Sequence, residues 1–244
     1  MKPYSQIPIK ECGEPLVAIP LTEFAVESPH PYEKLGAPYG VCGQSRAEAS
    51  PYYLRQGVLE ALILAQQELQ HFLPGGRIKI FDAYRPVEVQ QFMVDYTFTQ
   101  VINQKNLKLE ELSTNQQQEI WQEVYKIWAI PSYNLATPPP HSTGAAIDIT
   151  LVDSSGKELN MGSEIDELSA RSQADYYAKS NNLEEQQYHN HRELLHKSMG
   201  EAGFKRHRDE WWHFSLGDQM WAWLWQQENS GGSFLAKYGR MSEG

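Results

Sequence analysis

Cysteine is scarce in this sequence. The only two, Cys12 and Cys42, cannot provide a disulfide framework for a chain of 244 residues. They also form no Cys-x-x-Cys pair of the kind that holds zinc or carries out redox chemistry. A metal site in this chain would therefore depend on histidine and carboxylate side chains.

Positive charge is also in short supply. The 31 Asp and Glu residues outnumber the 21 Lys and Arg residues, which leaves a formal net charge of −10. Such a surface attracts a phosphate backbone poorly, so we expect no nucleic-acid partner.

No segment has the length and apolarity of a membrane span or a signal peptide. The longest apolar stretch, residues 58–73, is interrupted by Glu60 and several glutamines. Residues 1–20 contain lysines and glutamates and no apolar core. We therefore expect a cytoplasmic protein without a membrane partner, and the 41% of hydrophobic residues suffice for a sizeable core.

Hydrophobic periodicity predicts helices in three regions. Apolar residues recur at helical spacing from Leu54 to Phe72 and stop before a Pro-Gly-Gly sequence, which predicts an amphipathic helix. A second helix is expected from about Pro86, which suits a first helical turn, to about Gln104. Residues 166–204 are interpreted as two further helical pieces.

Three other segments predict strands. Residues 77–82 alternate between polar and apolar side chains, residues 145–152 are rich in β-formers, and residues 210–215 form a short aromatic run. Helices and strands do not alternate as regularly as in a doubly wound sheet. We therefore predict an α+β fold, a single domain over residues 1–244 with a small central antiparallel sheet flanked by helices.

Two segments stand apart from this predicted core. Residues 1–50 are rich in proline and glycine, which predicts an irregular N-terminal arm. Residues 105–136 are polar, but Trp121, Val124 and Trp128 recur at helical spacing, so we expect a helical insertion. The sequence does not indicate whether this insertion is an interface or a lid, nor the oligomeric state.

Asp148 and His213 each lie inside an otherwise apolar strand segment. Burying a charge is costly unless it is paired or binds a metal. Taken singly, each has an ordinary explanation, since such a histidine is usually a hydrogen-bonded core residue and such an aspartate a turn or cap. Together with His141 they supply two imidazoles and one carboxylate, a common zinc-binding set that leaves a fourth position for water.

The spacing of these residues restricts where each can lie. His141 and Asp148 are an odd number of positions apart, so one continuous strand would point them to opposite faces. Gly144 and the preceding prolines instead predict that His141 lies on a loop or bulge ahead of the strand. Glu210 cannot share a strand face with His213, which places it on a loop. There it is suited to take a proton from water beside a metal, although a solvated loop charge explains Glu210 alone equally well.

Arg85 directly follows the predicted strand at residues 77–82. Asp82 can hold its guanidinium by a charge-assisted pair. Without further context, a structural salt bridge is the favoured explanation. If the strand end faces a metal, however, a fixed guanidinium would stabilise the oxyanion that forms when water attacks an amide carbonyl.

Four short sequence blocks carry a family resemblance. They are Phe81-Asp82-Ala83-Tyr84-Arg85-Pro86, His141-Ser142-Thr143-Gly144-Ala145-Ala146-Ile147-Asp148, Met161-Gly162-Ser163-Glu164-Ile165-Asp166 and Glu210-Trp211-Trp212-His213-Phe214. In this order they resemble blocks of the D-alanyl-D-alanine dipeptidases, zinc peptidases related to the D,D-carboxypeptidases and, in fold, to lysostaphin and the hedgehog signalling domain. The resemblance runs from about Tyr32 to Phe214.

The resemblance implies a reaction and a role for each matching residue. The reaction would be zinc-dependent hydrolysis of the small dipeptide D-Ala-D-Ala, with one zinc ion per chain, which we expect at the sheet edge. Glu210 would act as general base and acid, and Arg85 would polarise the scissile carbonyl. Asp166 would bind the substrate's amino group, with Tyr32 beside it. Asp82 would lie behind the residues that contact the substrate. The implied zinc ligands are His141, Asp148 and His213.

The sequence departs from the family pattern at one point. Members often have a serine shortly before the first zinc-binding histidine, where it helps to bind the substrate carboxylate. Here Thr137 is followed by proline at each of residues 138–140. Because proline has no side-chain donor and no backbone N–H, the carboxylate must be bound elsewhere, and Tyr39 and Ser142 are the candidates.

Two other functions are compatible with these residues. A D,D-carboxypeptidase or another hydrolase of peptidoglycan peptides would need a pocket open on the amino side instead of one closed by Asp166. The second alternative is a zinc-stabilised binding module without turnover, and Glu210 beside an intact ligand set argues against it. Five further histidines are interpreted as surface or helix residues; they are His71, His189, His191, His196 and His207.

Overall fold

Short strands pair into two sheets. The computed structural model describes residues 2–40, 50–229 and 234–241, so Cys42 lies outside the described residues. The strands are β1 (Leu16–Ala18), β2 (Ala25–Val26), β3 (Tyr53–Arg55), β4 (Arg77–Asp82), β5 (Ala146–Val152), β6 (Lys205–Arg206) and β7 (His213–Ser215). Five of them form the main sheet in the order β2-β4-β5-β7-β6, and β1 pairs with β3.

Helices flank the main sheet. They are α1 (Pro31–Lys34), α2 (Gln56–Phe72), α3 (Val87–Gln104), α4 (Thr114–Val124), α5 (Leu183–Glu201) and α6 (Gln219–Glu228). Side-chain caps explain where several begin, because Ser113, Asn182 and Asp218 accept hydrogen bonds from the first backbone N–H groups of α4, α5 and α6. In the part of the chain that is described, no helix has the length and apolarity needed to cross a bilayer.

Most predicted elements are confirmed, with differences at their ends. α2 begins at Gln56 instead of including Leu54, because Leu54 pairs with Val17 in the β1–β3 ladder. Pro86 caps α3 and does not belong to its first turn. Of the two helical pieces expected in residues 166–204, only α5 is an α-helix, and the residues before it form turns and a short 3-10 helix at Ala170–Ser172. The strand expected from Glu210 begins only at His213, because a turn precedes it.

The mixed α+β class is confirmed, but the sheet is not wholly antiparallel. β2 runs parallel to β4, whereas the other three pairs of the main sheet are antiparallel. β2 belongs to the segment predicted as an irregular arm, residues 1–50, which also contains β1, α1 and a 3-10 turn at Pro3–Gln6. Strands of 2 and 3 residues are too short to show alternation, and pairing with distant partners defines them.

The two faces of the main sheet have different surroundings. Ile147, Ile149 and Leu151 of β5 point to one face and share a hydrophobic core with the buried sides of α2 and α5. Asp148 and Thr150 point to the opposite face, since successive side chains of a strand alternate. Every residue of β5 is buried, so its polar side chains need partners within the protein.

A second hydrophobic core lies between α3 and α4. Val124 and Trp128 are buried there, and Trp121 stacks on Phe98 with ring centroids 4.0 Å apart. The predicted helical insertion at residues 105–136 is therefore helical only in α4 and in a short 3-10 turn at Leu109–Glu111. This core supports the wall of the site described below, because Trp128 faces the site from the end of the insertion.

Candidate metal centre and active site

A β-bulge aligns three polar side chains on neighbouring strands. The pairing of β4 with β5 shifts between Ile80 and Asp82, so Ile80 faces Ile149 whereas Asp82 faces Asp148. Without the shift, Asp82 would point to the same face as Ile80, into the apolar core. Asp148 pairs in turn with His213 of β7. The expected position at the sheet edge is not confirmed, because β4, β5 and β7 are the inner strands.

His141 reaches this row of side chains from a 3-10 turn, Pro140–Thr143, directly before β5. Gly144 ends the turn with φ 70°, a left-handed conformation. The conformation favours glycine, and a Cβ atom here would also lie 2.3 Å from Cδ2 of Leu16, whose side chain would have to shift. His141 thus lies ahead of the strand, as its spacing from Asp148 predicts.

The side chains of His141, Asp148 and His213 converge on one point. Nε2 of His141 lies 3.1 Å from Oδ2 of Asp148 and 3.2 Å from Nδ1 of His213. That Nδ1 lies 3.0 Å from Oδ1 of Asp148. Burial favours a protonated carboxyl, but the two imidazoles hold the pKa of Asp148 well below its usual range.

Hydrogen bonds behind each imidazole set its orientation. Nδ1 of His141 lies 2.7 Å from the carbonyl oxygen of Ala83, which accepts its hydrogen bond and leaves Nε2 free to bind a metal. Nε2 of His213 lies 3.4 Å from Oγ of Ser215, which itself donates to Asp218 at 2.9 Å. Nδ1 of His213 is therefore the nitrogen that faces the cluster.

The residues present fit a divalent metal ion such as zinc. One donor atom from each of His141, Asp148 and His213 lies within 4.8 Å of the others, and all three residues are buried. Two imidazole nitrogens and one carboxylate oxygen are a donor set that zinc binds while keeping a fourth position open.

Glu210 lies beside the cluster, on the turn before β7. Its Oε2 is 3.9 Å from Nδ1 of His213, and its Oε1 is 3.5 Å from Nδ1 of His207. Burial, followed by the negative charge of Asp148, raises the pKa of Glu210 well above its ordinary value. A carboxyl in this setting accepts and keeps a proton more readily than an exposed one, which suits a proton-transfer group.

Arg85 is fixed on the other side of the cluster. Its Nε donates to Oδ2 of Asp82 and its Nη1 to Oε1 of Gln90, both at 2.8 Å. Its Nη2 donates to Oδ2 of Asp148 at 3.3 Å, and the guanidinium lies 4.9 Å from the ring centroid of Trp128. Arg85 therefore forms a salt bridge with Asp82 and at the same time faces the cluster.

Asp166 and Tyr32 meet at a further wall of the pocket. Asp166 has φ 64°, a left-handed conformation that is uncommon for a residue with a side chain. The Tyr32 hydroxyl donates to Oδ2 of Asp166 at 2.7 Å and accepts from Arg85 at 3.3 Å. Burial, followed by the charge of Asp148, raises the pKa of Asp166 to about 7.

Tyr39 and Ser142, the expected carboxylate binders, do not line the cavity beside the cluster, and each hydroxyl has a hydrogen-bond partner within the protein. The Tyr39 hydroxyl donates to Oδ1 of the fully buried Asp82 at 3.2 Å. The Ser142 hydroxyl donates to the carbonyl oxygen of Arg85 at 2.7 Å. Both hydroxyls are therefore engaged in holding the segment from Asp82 to Arg85 against its neighbours.

The interpretation of His207 as a surface or helix residue is wrong, because its side chain lines the site. It is 8% exposed, faces Glu210, and its backbone N–H donates to the carbonyl oxygen of His213. Burial, and then the charge of His213, lower the pKa of His207 to about 3, so the imidazole is neutral. Its position three residues before Glu210 repeats the spacing of Glu210 to His213, and that repeat was the available signal.

The pocket beside the cluster is narrow. Its cavity of about 30 Å³ holds about one water molecule. Lys2, Tyr4 and Gln90 also line it, and sequence reasoning identified none of them. A hollow of about 600 Å³ elsewhere, lined in part by Lys79 and Thr150, contains none of the predicted site residues. The predicted metal ligands, Glu210 and Arg85 therefore line the smaller of these two cavities.

Known proteins resemble this chain over most of its length. Residues 36–230 match the profile of the peptidase family described as D-ala-D-ala dipeptidase. A D-alanyl-D-alanine dipeptidase of Synechocystis sp. is 49% identical over 99% of this chain and 97% of its own length. Enzymes of the same name from Enterococcus faecalis and Escherichia coli are 29% and 32% identical over 65% and 59% of this chain, and over 71% and 57% of their own lengths. The chain belongs to the D-Ala-D-Ala dipeptidase family of metallopeptidases.

Proposed function

We propose that this protein hydrolyses the dipeptide D-Ala-D-Ala to two D-alanines with a zinc ion held by His141, Asp148 and His213. The observation that carries the proposal is the convergence of these three donors beside a buried carboxyl, Glu210, and a fixed guanidinium, Arg85. When bound, the ion supplies Lewis acidity, which makes water easier to deprotonate and a carbonyl easier to attack.

Glu210 is the proton-transfer group of the proposed reaction. Its carboxyl is close to the cluster without being one of the three donors, so it is free to take a proton from the attacking water. The same carboxyl then delivers that proton to the leaving amine. Its raised pKa supports this second step, because a carboxyl that holds a proton well acts as an acid near neutral pH.

Arg85 stabilises the negative charge that develops on the carbonyl oxygen. Three hydrogen bonds to Asp82, Gln90 and Asp148 fix its guanidinium before substrate binds, so little reorganisation accompanies the reaction. Asp82 and Tyr39 act through Arg85 and do not touch the substrate.

Asp166 selects a free amino group. Its carboxyl lies in the pocket wall, held by the Tyr32 hydroxyl. A substrate ammonium restores the ionised form of Asp166, whereas an acetylated or longer N-terminus brings no positive charge to this carboxyl. This explains a preference for a dipeptide over longer peptides. Because the cavity holds only about one water molecule, a wall must move outward to admit the dipeptide.

The test is the release of D-alanine from D-Ala-D-Ala by chelator-treated protein that has been reloaded with zinc. L-Ala-L-Ala and N-acetyl-D-Ala-D-Ala are assayed in parallel. Zinc-dependent cleavage of the free D,D-dipeptide alone supports the proposal. Cleavage of the acetylated peptide would indicate a carboxypeptidase, and zinc binding without any cleavage would indicate a binding module.

Substitution of Glu210 separates catalysis from metal binding. We expect Glu210→Gln to lower kcat by about 10²- to 10⁴-fold and to leave the zinc content unchanged, because the amide cannot take the proton. Glu201→Gln, at an exposed position at the end of α5, is the matched control and should keep full activity. An active Glu210→Gln protein would contradict the assigned role.

A further inference from the structure

The N-terminal segment forms one wall of the pocket. Lys2 and Tyr4 line the cavity beside Glu210 and His213. Tyr4 is 6% exposed and packs against Met220 and Leu224 of α6. Lys2 and Tyr4 are distant in sequence from the catalytic blocks, so the tertiary structure brings them to the site.

A buried amide holds the segment in place. Nε2 of Gln219, on α6, donates to the carbonyl oxygens of Ile7 at 2.6 Å and of Ala136 at 3.0 Å. Gln219 is 3% exposed, so these bonds are shielded from water. The segment that carries Lys2 is thereby joined both to α6 and to the loop that leads to His141.

Two lysine or arginine side chains line this cavity, those of Lys2 and Arg85. Arg85 is committed to Asp82 and Asp148. Lys2 has no carboxylate within ion-pair distance among the described residues, and its Nζ donates only a long 3.4 Å hydrogen bond to the carbonyl oxygen of Lys126. That exposed bond is easily exchanged for a stronger, charge-assisted one.

We propose that Lys2 binds the C-terminal carboxylate of the substrate, while Asp166, which lines the same cavity, receives its amino group. The inference rests on the proposed dipeptidase function and supplies the carboxylate contact that the prolines before His141, Tyr39 and Ser142 do not. A zwitterionic dipeptide then meets an anion at one end and a cation at the other, which fixes its direction in the pocket. Lys2 is thus a specificity-determining residue.

The electrostatics of the pocket agree with this arrangement. Lys2 lines the same cavity as the carboxyl groups of Asp148, Asp166 and Glu210. Its positive charge therefore lies close to the acidic side chains of the site. Without Lys2, a substrate carboxylate in this cavity would face the negative charge of Asp148 with no unpaired cation nearby, because Arg85 is paired with Asp82 and Asp148.

The experiment compares D-Ala-D-Ala with D-alanyl-D-alaninamide, which lacks the carboxylate, on zinc-loaded full-length protein. We expect Lys2→Met to raise KM for D-Ala-D-Ala by about tenfold with kcat little changed, because one charge-assisted hydrogen bond is lost. Its KM for the amide should stay constant. Lys2→Arg should retain most of the preference for the free carboxylate, and Lys10→Met, an exposed cation on the same segment, is the matched control.

The outcomes distinguish this inference from the proposed function. If the unmodified protein cleaves D-Ala-D-Ala but Lys2→Met has the same ratio of KM values for the two substrates, the dipeptidase proposal stands and the role of Lys2 is wrong. An equal rise of KM for both substrates would show that Lys2 only supports the wall. If the unmodified protein cleaves neither substrate, both proposals fail.

Discussion

Three carboxyl groups, those of Asp148, Glu210 and Asp166, line one small pocket and differ in proton affinity. Asp148 lies between two imidazoles that hold its pKa well below the usual range despite burial. The imidazoles nearest to Glu210 lie farther away, at 3.5 Å for His207 and 3.9 Å for His213, and burial raises the pKa of Glu210 and of Asp166. The environment of each residue therefore separates a metal-binding carboxylate from groups that carry protons or receive an ammonium.

The raised pKa of Asp166 makes a prediction about stability. A carboxyl with a folded pKa of about 7 stabilises the fold fully only below its unfolded pKa near 3.8, and that contribution is lost as the pH rises through 7. Asp166→Asn should therefore raise the free energy of unfolding of metal-free protein by on the order of 1–3 kcal/mol at pH 8, and by less at pH 5. Urea denaturation at both pH values measures this.

The same substitution should lower activity, since the amide no longer attracts the substrate's ammonium. Equal stability gains at pH 5 and pH 8, or unchanged KM for D-Ala-D-Ala, would contradict the assignment of Asp166. A substitution that stabilises the protein and lowers its activity is the expected result for a residue that serves function but destabilises the fold.

At the scale of elements, α5 holds the loop that carries Asp166. Arg192 of α5 is fully buried, and its guanidinium donates to the carbonyl oxygens of Met161 at 2.7 Å, Gln173 at 2.8 Å and Arg171 at 2.9 Å. These acceptors lie on both sides of Asp166 in the chain. One side chain thus closes the loop into a defined shape.

Arg192→Met should lower the free energy of unfolding by about 3 kcal/mol, because several buried carbonyl groups lose their donor. It should also raise KM for D-Ala-D-Ala, since the loop no longer fixes Asp166. Thermal unfolding and steady-state kinetics measure the two effects. Arg208→Met, at an exposed position, is the control and should change stability by less than about 0.5 kcal/mol. Similar losses in the two variants would refute the anchoring role.

At the scale of the whole molecule, the proposed metal links parts of the chain that are distant in sequence. His141 comes from the turn before β5, Asp148 from β5 and His213 from β7. An ion that binds all three binds the folded state far better than the unfolded chain, in which the donors are dispersed. Metal binding and global stability should therefore be coupled.

Removal of zinc by a chelator should lower Tm, and added zinc should restore it. With zinc at about 100 times its Kd, the gain is about 2.7 kcal/mol, which corresponds to roughly 5–10 °C for a chain of this length. Differential scanning calorimetry measures the shift. Asp148→Asn should abolish most of it, and a full shift in that variant would show that zinc binds elsewhere.

Local sequence patterns predicted several of the helices and strands and many of the site residues. α2, α3, β4 and β5 follow from hydrophobic periodicity and from proline or glycine at their ends. The polar residues within apolar strands, and the four blocks that resemble the dipeptidases, identified the residues that converge in the structure. These signals depend on neighbouring residues, so a single sequence shows them.

Long-range contacts decided the rest. β1 and β2 exist because they pair with β3 and β4, and their few residues carry no pattern of their own. The Tyr39 hydroxyl donates to Asp82, and the Ser142 hydroxyl donates to the backbone carbonyl oxygen of Arg85. The spacing of these residues in the sequence does not predict either contact.

The sequence by itself determined which chemistry this protein has available: imidazoles and carboxylates for a metal, a carboxyl for proton transfer and a guanidinium for negative charge. Only the tertiary structure decided their arrangement. The shift between Ile80 and Asp82 turned Asp82 toward Asp148, and the packing of Tyr4 on α6 brought Lys2 to the pocket. The physical reason is that residue identity and periodicity are local, whereas strand register and segment docking depend on burial over the whole chain.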